Sequence, residues 1–243
     1  MNNPSPSLSV LIASYNTREM TLACLRSISA EADSDDFEVI VVDNGSADGS
    51  AAAVEAEFPA VKLIRSTENL GFARANNLAA LRAAGSFILL LNSDTLVRDR
   101  AIDRLVAFAN ANPQAGIWGG RTVFADGSLN PKSCWRFMSL WSLFAQAVGL
   151  SALFRDLALF NPEGYGGWRR DSVREVDFVT GCFLLIRREL WDRLGGFDER
   201  FFMYAEEADL CCRARRLGAR PLFTPDATIV HHGGGSETAR ASK

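Results

Sequence analysis

The chain is poor in histidine, with only two among its 243 residues, and these lie side by side as His231 and His232. A zinc centre built from several histidines is therefore not expected. The five cysteines form no C-x-x-C pair, and we interpret them as reduced core residues of a cytosolic protein. The net charge is only −3. It lacks the positive excess of a protein that coats nucleic acid, so no nucleic-acid partner is expected.

Two nucleotide-binding fingerprints are also missing. No G-x-G-x-x-G follows the first apolar run, and no G-x-x-x-x-G-K-[ST] occurs anywhere, which disfavours a dinucleotide oxidoreductase and a P-loop kinase. Residues 1–7 are polar and lack the basic and apolar regions of a signal peptide. We therefore expect a flexible N-terminus and a cytoplasmic protein.

Apolar runs alternate with segments of helical periodicity through most of the chain. Strands are predicted over 8–13, 37–42, 61–65, 87–91, 117–124, 176–186, 222–223 and 228–230, and helices over 16–29, 51–58, 71–84, 101–110, 188–194 and 206–217. This alternation predicts right-handed β-α-β units and a mainly parallel sheet flanked by helices. Asn16 with Glu19 three residues later is a capping box, which predicts the start of the first helix.

Segment 137–154 differs from the rest because it has no charged residue and is rich in leucine and aromatic residues. It is flanked by Lys132, Arg136 and Arg155. Its length touches the lower limit for a membrane span, but polar residues and glycine dilute it. Three interpretations stay open: a membrane span, a segment lying in the membrane interface, and ordinary packing on the domain or within an oligomer.

Polar residues follow the first two predicted strands. Tyr15 comes after the first strand, and Asp43 comes after the second. In an open parallel sheet, ligands bind in the crevice beyond the carboxyl ends of the strands. There Tyr15 can stack on a flat base, and Asp43 can accept hydrogen bonds from a base or a ribose hydroxyl. The alternative is that Asp43 only forms a tight turn.

Asp94 follows the most apolar predicted strand, and His231 follows the last one. Because the usual phosphate-binding loops are missing, a bound nucleotide needs another source of positive charge. Asp94 can hold Mg²⁺ or Mn²⁺, which bridges phosphate oxygens, and His231 can add an imidazole that Mn²⁺ tolerates. The alternative for the histidine pair is a surface turn before the C-terminal tail.

Glu206 and Glu207 lie in the first turn of a predicted helix. Carboxylates at a helix N-terminus stabilise the helix through its dipole, so a structural role explains them. Their crowding also raises at least one pKa, which suits a general base that removes a proton from a sugar hydroxyl. Position alone does not decide between the two roles.

Taken in order, eight segments resemble family 2 of the glycosyltransferases, the inverting enzymes of GT-A fold. The segments are 10–16, 41–46, 69–77, 90–94, 181–188, 195–199, 206–210 and 231–236. The rhamnosyltransferase-like branch, which builds bacterial surface polysaccharides on lipid carriers, is the most similar. The resemblance runs over nearly the whole chain.

The resemblance implies roles for the matching residues. The nucleotide-sugar-binding residues would be Ala13, Tyr15, Asp43, Arg74, Asn92, Ser93 and Asp94. Asp94 and His231 would hold the divalent metal, and Glu207 would be the catalytic base, with Glu206 and Asp209 as alternatives. The chain departs from the pattern of the family at two of these positions. Asn92 stands where the D-x-D motif has its first Asp, and Glu207 is one methylene longer than the commoner Asp.

The resemblance also implies an α/β GT-A domain over 1–243, with a smaller mixed sheet on the acceptor side. Residues 8–94 would form the nucleotide-sugar-binding half and 95–236 the acceptor-binding half, with flexible ends at 1–7 and 237–243. The expected reaction transfers a sugar from a dTDP- or UDP-linked donor to a glycan or polyprenyl-linked acceptor. A homo-oligomer and contact with the cytoplasmic face of the inner membrane through 137–154 are further expectations.

Three alternatives remain at this point. A sugar nucleotidyltransferase carries a Gly-rich, Arg-containing loop after its first strand, and 14–17 is not such a loop. A non-catalytic nucleotide-sugar or glycan-binding module would keep Asp43 without needing the clustered acids. A scaffold protein with an apolar surface is disfavoured by the polar residues at the strand ends.

Overall fold

The computed structural model describes residues 6–31 and 36–233. Its strands are β1 (Leu8–Ser14), β2 (Phe37–Asp43), β3 (Lys62–Arg65), β4 (Phe87–Leu91), β5 (Thr95–Val97), β6 (Ile117–Val123), β7 (Leu129–Asn130), β8 (Cys134–Trp135), β9 (Arg174–Glu175), β10 (Phe178–Val179), β11 (Phe183–Arg187) and β12 (Leu222–His231). Its helices are α1 (Arg18–Glu31), α2 (Ser50–Glu57), α3 (Gly71–Ala80), α4 (Ala101–Ala111), α5 (Leu140–Ala147), α6 (Leu150–Leu153), α7 (Arg188–Leu194) and α8 (Glu206–Arg216). A 3₁₀ turn covers Pro131–Ser133.

The main sheet has the strand order β3-β2-β1-β4-β11-β6-β12-β5. Its first four strands are parallel, and β6 and β12 are also parallel to each other. Between these two groups, β11 runs antiparallel to both β4 and β6. A second, two-stranded sheet pairs β8 with β10. The predicted fold is confirmed: a large, mostly parallel sheet with flanking helices, and a small second sheet.

Helices cover both faces of the sheet, which explains why the central strands are almost wholly apolar. On one face, Leu22, Leu25 and Ile28 of α1 are buried in the core, as predicted from their spacing. The other face receives the small residues of α3 and the apolar side of α8. Each fully buried leucine or isoleucine contributes about 1.5–3 kcal/mol. The carboxyl ends of β1, β2 and β4 therefore lie at one edge of a rigid platform.

The predicted capping box of the first helix is wrong. α1 begins at Arg18, and Asn16 has a left-handed backbone with φ of 52°. The Asn16 Oδ1 atom accepts a hydrogen bond from Ala47 N at 2.8 Å, and Asn16 N donates to Ser46 Oγ at 2.9 Å. Asn16 therefore ties the loop after β1 to the loop after β2, a long-range contact that outcompetes local capping.

Two other predicted boundaries shift for identifiable reasons. α3 stops at Ala80, because the chain must turn so that Gly85 can lie against Ser9. The approach is close: a Cβ added to Gly85 would lie 2.5 Å from Ser9 N. The predicted strand over 176–186 is broken into β10 and β11 around Gly181. The two predicted closing strands form one strand, β12, with an irregular register between Thr224 and Thr228.

The apolar segment 137–154 forms two short helices, α5 and α6, of eight and four residues. A span of the hydrocarbon core needs about 20 residues. Among the helices in the described ranges, none combines the length and apolarity that crossing a bilayer requires. The interpretation of this segment as a membrane span is therefore wrong.

The predicted flexible ends lie mostly outside the described residues. Ser7 is an exception, because its backbone joins the sheet: Ser7 N donates to Asp36 O at 3.0 Å, and Ser7 O accepts from Phe87 N at 3.0 Å.

The role of Asn16 can be tested through stability. We expect Asn16→Ala to lower the free energy of unfolding by about 1–2 kcal/mol, because it removes the hydrogen bond to Ala47 and disfavours the left-handed backbone. Asn16→Asp keeps the acceptor and should cost less. Urea unfolding followed by circular dichroism measures both values. Equal losses in the two variants would contradict the assignment.

Candidate active site

The edge formed by β1, β2 and β4 brings together the first predicted site residues. Ser14 and Asp43 are register partners at the ends of β1 and β2. Asp43 is buried; its Oδ2 accepts from Ser46 N at 3.3 Å, whereas its Oδ1 has no hydrogen-bond partner among the described residues. A buried carboxylate oxygen without a partner is costly, so Asp43 is suited to accept a hydrogen bond from a ligand.

The loop after β4 is fixed by a buried network of hydroxyl groups. Thr17 Oγ1 lies 3.1 Å from both Ser93 Oγ and Ser14 Oγ, and Ser14 Oγ lies 2.8 Å from Thr21 Oγ1. The Ser93 side chain therefore faces the protein interior and anchors the loop. Ala13 and Tyr15, the other predicted residues at this edge, are partly exposed.

Asp94 and His231 meet at the same edge, although 136 residues separate them in the chain. The pairing of β12 with β5 sets His231 opposite Thr95, which brings its ring next to Asp94. Asp94 Oδ1 lies 3.4 Å from His231 Nε2, and Asn92 Nδ2 lies 3.3 Å from the same nitrogen. His232 N donates to Asp94 O at 3.1 Å, which holds the two segments together. The remainder of the predicted motif, 234–236, lies outside the described residues.

The electrostatics of His231 reflect its negative surroundings. Burial lowers the pKa of His231, but charge and hydrogen-bond interactions with Cys182 and Asp94 raise it to about 10. The ring Nδ1 is buried with no hydrogen-bond partner among the described residues. A metal ion at Nε2 would have to displace the proton, because a metal-bound histidine is neutral.

The donor set at this edge fits a divalent ion that is shared with a ligand. Asp94 supplies a carboxylate oxygen and His231 a nitrogen, a mixed pair that Mn²⁺ accepts and that Mg²⁺ accepts through the carboxylate. The described part of the chain contains no cluster of three or more His, Cys, Asp or Glu residues suited to hold a metal by itself. An ion here would therefore take the rest of its ligands from phosphate oxygens and water.

A strained turn presents the acidic cluster. Tyr204 and Ala205 precede α8 and have left-handed backbones with φ of 71° and 70°. Just before them, Phe202 O accepts from Phe72 N at 2.8 Å, and Gly71 packs so closely that an added Cβ would be 2.3 Å from Phe202 O. Residues held in this region cost about 1–3 kcal/mol each and are typical of functional sites.

Glu207 points toward the strand-end edge. Its Oε1 accepts from Gly181 N at 3.2 Å, and burial raises the pKa of its carboxyl group. The lack of a side chain at Gly181 leaves room for Phe72, because a Cβ added there would lie 2.7 Å from the Phe72 ring. Cys182, the next residue, accepts from Asn92 N through its carbonyl oxygen at 3.3 Å. A two-residue bridge thus connects Glu207 to the loop that carries Asp94.

Glu206 and Asp209 have different surroundings from Glu207. Glu206 is buried, its Oε2 has no partner among the described residues, and burial together with the charge of Glu207 raises its pKa to about 7. Asp209 Oδ2 accepts from Arg213 Nε at 2.7 Å. Arg213 also donates to the carbonyls of Leu194 and Gly196, so this ion pair fastens α8 to the end of α7.

Arg74 is placed differently from the other predicted binding residues. It is half exposed, and its Nε lies 3.9 Å from Glu199 Oε2. It lines a groove of about 810 Å³ between α3 and α7. No contact that we observe among the described residues joins it to Asp43 or Asp94, so its role in donor binding stays a prediction.

Several residues that build the site were not predicted from the sequence. Asn44 fixes the start of α3, since its Nδ2 donates to Gly71 O at 3.2 Å. Thr180 Oγ1 donates to Lys132 O at 2.8 Å, and Asn130 Nδ2 reaches His231 O at 3.5 Å. Asn44 and Gly181 lie within segments that carried the family resemblance, but uncharged residues gave no chemical signal of their own.

Comparison with known proteins identifies the family of the chain. The model for glycosyl transferase family 2 matches residues 9–195. The N-acetylglucosaminyl-diphospho-decaprenol L-rhamnosyltransferase of Mycobacterium tuberculosis is 32% identical over 244 residues, covering 95% of this chain and 73% of the relative. The O-antigen biosynthesis protein RfbC of Myxococcus xanthus is 26% identical and is covered over only 18% of its length.

Solved structures share the fold. A mannosyltransferase from Pyrobaculum calidifontis, in complex with GDP-Man and Mn²⁺, has a TM-score of 0.65 at 23% identity. S. aureus TarS 1-349, in complex with UDP, has a TM-score of 0.65 at 19% identity. The similarity covers 94% and 92% of this chain, which spans 57% and 60% of the two solved chains. With the family match over most of its length, the chain belongs to glycosyl transferase family 2.

Proposed function

We propose that the chain is an inverting, metal-dependent glycosyltransferase of bacterial cell-surface polysaccharide synthesis. It transfers rhamnose or a related hexose from a nucleoside-diphosphate donor to a glycan or polyprenyl-linked acceptor. One observation carries this proposal: the bridge of Gly181 and Cys182 connects Glu207 to the loop of Asn92 and Asp94. These bonds support a proton acceptor and a diphosphate-binding edge at one site, as a direct displacement at the anomeric carbon requires.

The donor is a dTDP- or UDP-sugar in this proposal. Asp43 has an oxygen available for the N–H of a pyrimidine or for a ribose hydroxyl, and Tyr15, which follows the register partner of Asp43, would stack on the base. Residues 8–94 would form the donor half and 95–236 the acceptor half. The acceptor class is supported by the mycobacterial relative, whose name specifies N-acetylglucosaminyl-diphospho-decaprenol. Such an acceptor puts the enzyme at the cytoplasmic face of the inner membrane.

Asp94 and His231 would hold Mg²⁺ or Mn²⁺ together with the donor diphosphate. When bound, the ion neutralises charge on the departing nucleoside diphosphate. Asn92 contributes an amide beside His231 in place of a second carboxylate. Asn92 thus orients the imidazole without adding another negative charge to the edge.

Glu207 is the favoured base among the three acidic candidates. Its hydrogen bond to Gly181 N orients the carboxylate, and its raised pKa suits proton acceptance. Asp209 is held by Arg213, and Glu206 is buried with no partner for its Oε2 among the described residues. We infer that Glu206 acts through its neighbour, because two crowded carboxyl groups resist ionising together.

The metal assignment is tested by Asp94→Ala. We expect it to abolish Mn²⁺-dependent transfer and to remove the Mn²⁺ dependence of donor binding, measured by isothermal titration. Asp226→Ala, which removes an exposed carboxylate from the same strand as His231, is the matched control. Turnover near the parent level in Asp94→Ala would refute the assignment.

The base assignment is tested by Glu207→Gln. We expect kcat to fall by about two to four powers of ten while donor affinity stays within about twofold, since proton removal is lost and binding is kept. Glu189→Gln, at an exposed carboxylate on α7, serves as the control. A comparable kcat loss in Asp209→Asn with normal Glu207→Gln turnover would move the role to Asp209.

Glu206 should make stability depend on pH. Its pKa is raised from 4.5 to about 7. The stability that the protonated side chain contributes is therefore fully present below pH 4.5 and is lost as pH rises through 7. We expect the difference in unfolding free energy, Glu206→Gln minus the parent, to be larger at pH 8 than at pH 5 by on the order of 2 kcal/mol. Urea unfolding at the two pH values measures this. A difference that does not change with pH would show that the pKa of Glu206 is the same in the folded and unfolded states, so that burial does not raise it.

A further inference from the structure

Exposed apolar side chains are concentrated in one part of the surface. Of the seventeen large apolar side chains exposed in the described part of the chain, ten lie between 138 and 159. They are Met138, Leu140, Trp141, Leu143, Phe144, Val148, Leu153, Phe154, Leu157 and Leu159, which we call the apolar surface. Contiguous apolar patches of this kind mark interaction sites.

The polarity of the apolar surface is inverted relative to a normal surface helix. In α5 the buried residues are Ser142 and Ala145, whereas Leu140 is 88% exposed. Ser142 Oγ donates to Glu163 Oε1, and Gln146 Nε2 donates to Glu163 Oε2 at 2.8 Å. Ser142 therefore turns inward to the protein, whereas the large apolar side chains turn outward, which is the arrangement expected next to an apolar medium.

The apolar surface is also held in a defined shape. Trp141 Nε1 donates to Leu159 O at 2.6 Å, which ties α5 to the segment after α6. The Trp141 ring lies 5.7 Å from Phe144 and 6.3 Å from Phe160, measured between ring centroids. Phe160 in turn lies 5.0 Å from Phe154. These contacts hold both helices as a single platform.

The charges around the apolar surface are mainly positive. From 127 to 159 the basic residues are Lys132, Arg136 and Arg155, all exposed, and the one acidic residue is Asp156. This basic rim complements anionic lipid headgroups, whose attraction is worth about 1 kcal/mol for each Lys or Arg near the membrane surface. A second copy of the same surface would instead bring two mainly basic rims together.

The apolar surface is close in the chain to a segment that contacts the bridge of Gly181 and Cys182. Thr180 Oγ1 donates to the Lys132 carbonyl, and Gly181, the next residue, donates to Glu207. Only five residues separate Lys132 from Met138, where the surface begins. A short stretch of chain therefore joins the apolar surface to the backbone that contacts Glu207.

We propose that the apolar surface docks the protein on an anionic lipid bilayer. The aromatic and aliphatic side chains enter the acyl boundary, and the basic rim contacts the headgroups. The link between docking and catalysis rests on the proposed function, because it requires a lipid-linked acceptor.

Vesicle flotation tests the docking. The parent protein should float with phosphatidylglycerol–phosphatidylcholine vesicles and float less with phosphatidylcholine alone or at high salt. Leu140→Glu combined with Leu153→Glu, at side chains 88% and 74% exposed, should lower binding at least about tenfold without touching the core. Leu81→Glu, at a side chain 79% exposed elsewhere, should bind as the parent does. Circular dichroism checks that each variant is folded.

Two outcomes would overturn the docking proposal. One is a parent protein that stays in the aqueous fraction with both vesicle types. The other combines two results: the parent protein does not bind vesicles, and light scattering shows a dimer that the double variant Leu140→Glu and Leu153→Glu dissociates. The surface would then belong to an interface with a second copy.

Transfer assays separate this proposal from the proposed function. With N-acetylglucosaminyl-diphospho-decaprenol in vesicles, the double variant should lose activity, whereas transfer to a short-chain, water-soluble analogue should match the parent. Equal loss on both acceptors would contradict a docking role. Floating protein that transfers sugar to neither acceptor would instead refute the proposed function and leave the docking standing.

Discussion

The site depends on one strand that runs against its neighbours. β11 is inserted antiparallel between β4 and β6, so its first residue, Phe183, pairs with Leu91 at the end of β4. The two residues before it, Gly181 and Cys182, must therefore arrive at the carboxyl edge of the parallel strands. There the backbone of Gly181 donates to Glu207, and that of Cys182 accepts from Asn92. With a parallel β11, the end of the strand would occupy this edge in place of the bridge.

Local pattern was sufficient for most of the fold. β4 and α7 have the predicted bounds, and the buried stripe of α1 was read from its spacing. These features depend on neighbouring residues in the chain, whose periodicity is visible in the sequence. The failures are all long-range. Asn16 carries a helix-capping pattern but bonds instead to Ala47, which no local rule could anticipate. The break at Gly181 likewise exists because α3 and α8 meet there.

The candidate site, like the fold, could be predicted only in part. The pairing of Asp94 with His231 was expected from strand ends and from family resemblance, and the structure brings the two side chains together. Arg74 could not be judged from sequence, because its partner Glu199 is brought to it by the tertiary fold. Asp209 and Arg213 lie four residues apart on α8, so their ion pair was open to a local interpretation, but the bonds of Arg213 to the end of α7 were not. The outward orientation of the apolar side chains of α5 was also hidden, since Ser142 and Gln146, two of the polar residues that dilute the apolar segment, fasten it to Glu163.

The strand-end edge concentrates groups that a fold selected only for stability would avoid. Three of the five buried polar side chains with an unpartnered atom in the described part of the chain are Asp43, Glu206 and His231, all belonging to this site. Each such group costs about 1–3 kcal/mol. The left-handed backbones at Tyr204 and Ala205 add strain beside them. The burial of the surrounding strands offsets these costs, and a bound nucleotide, metal and acceptor would supply the hydrogen bonds and charge that the protein alone leaves unmatched.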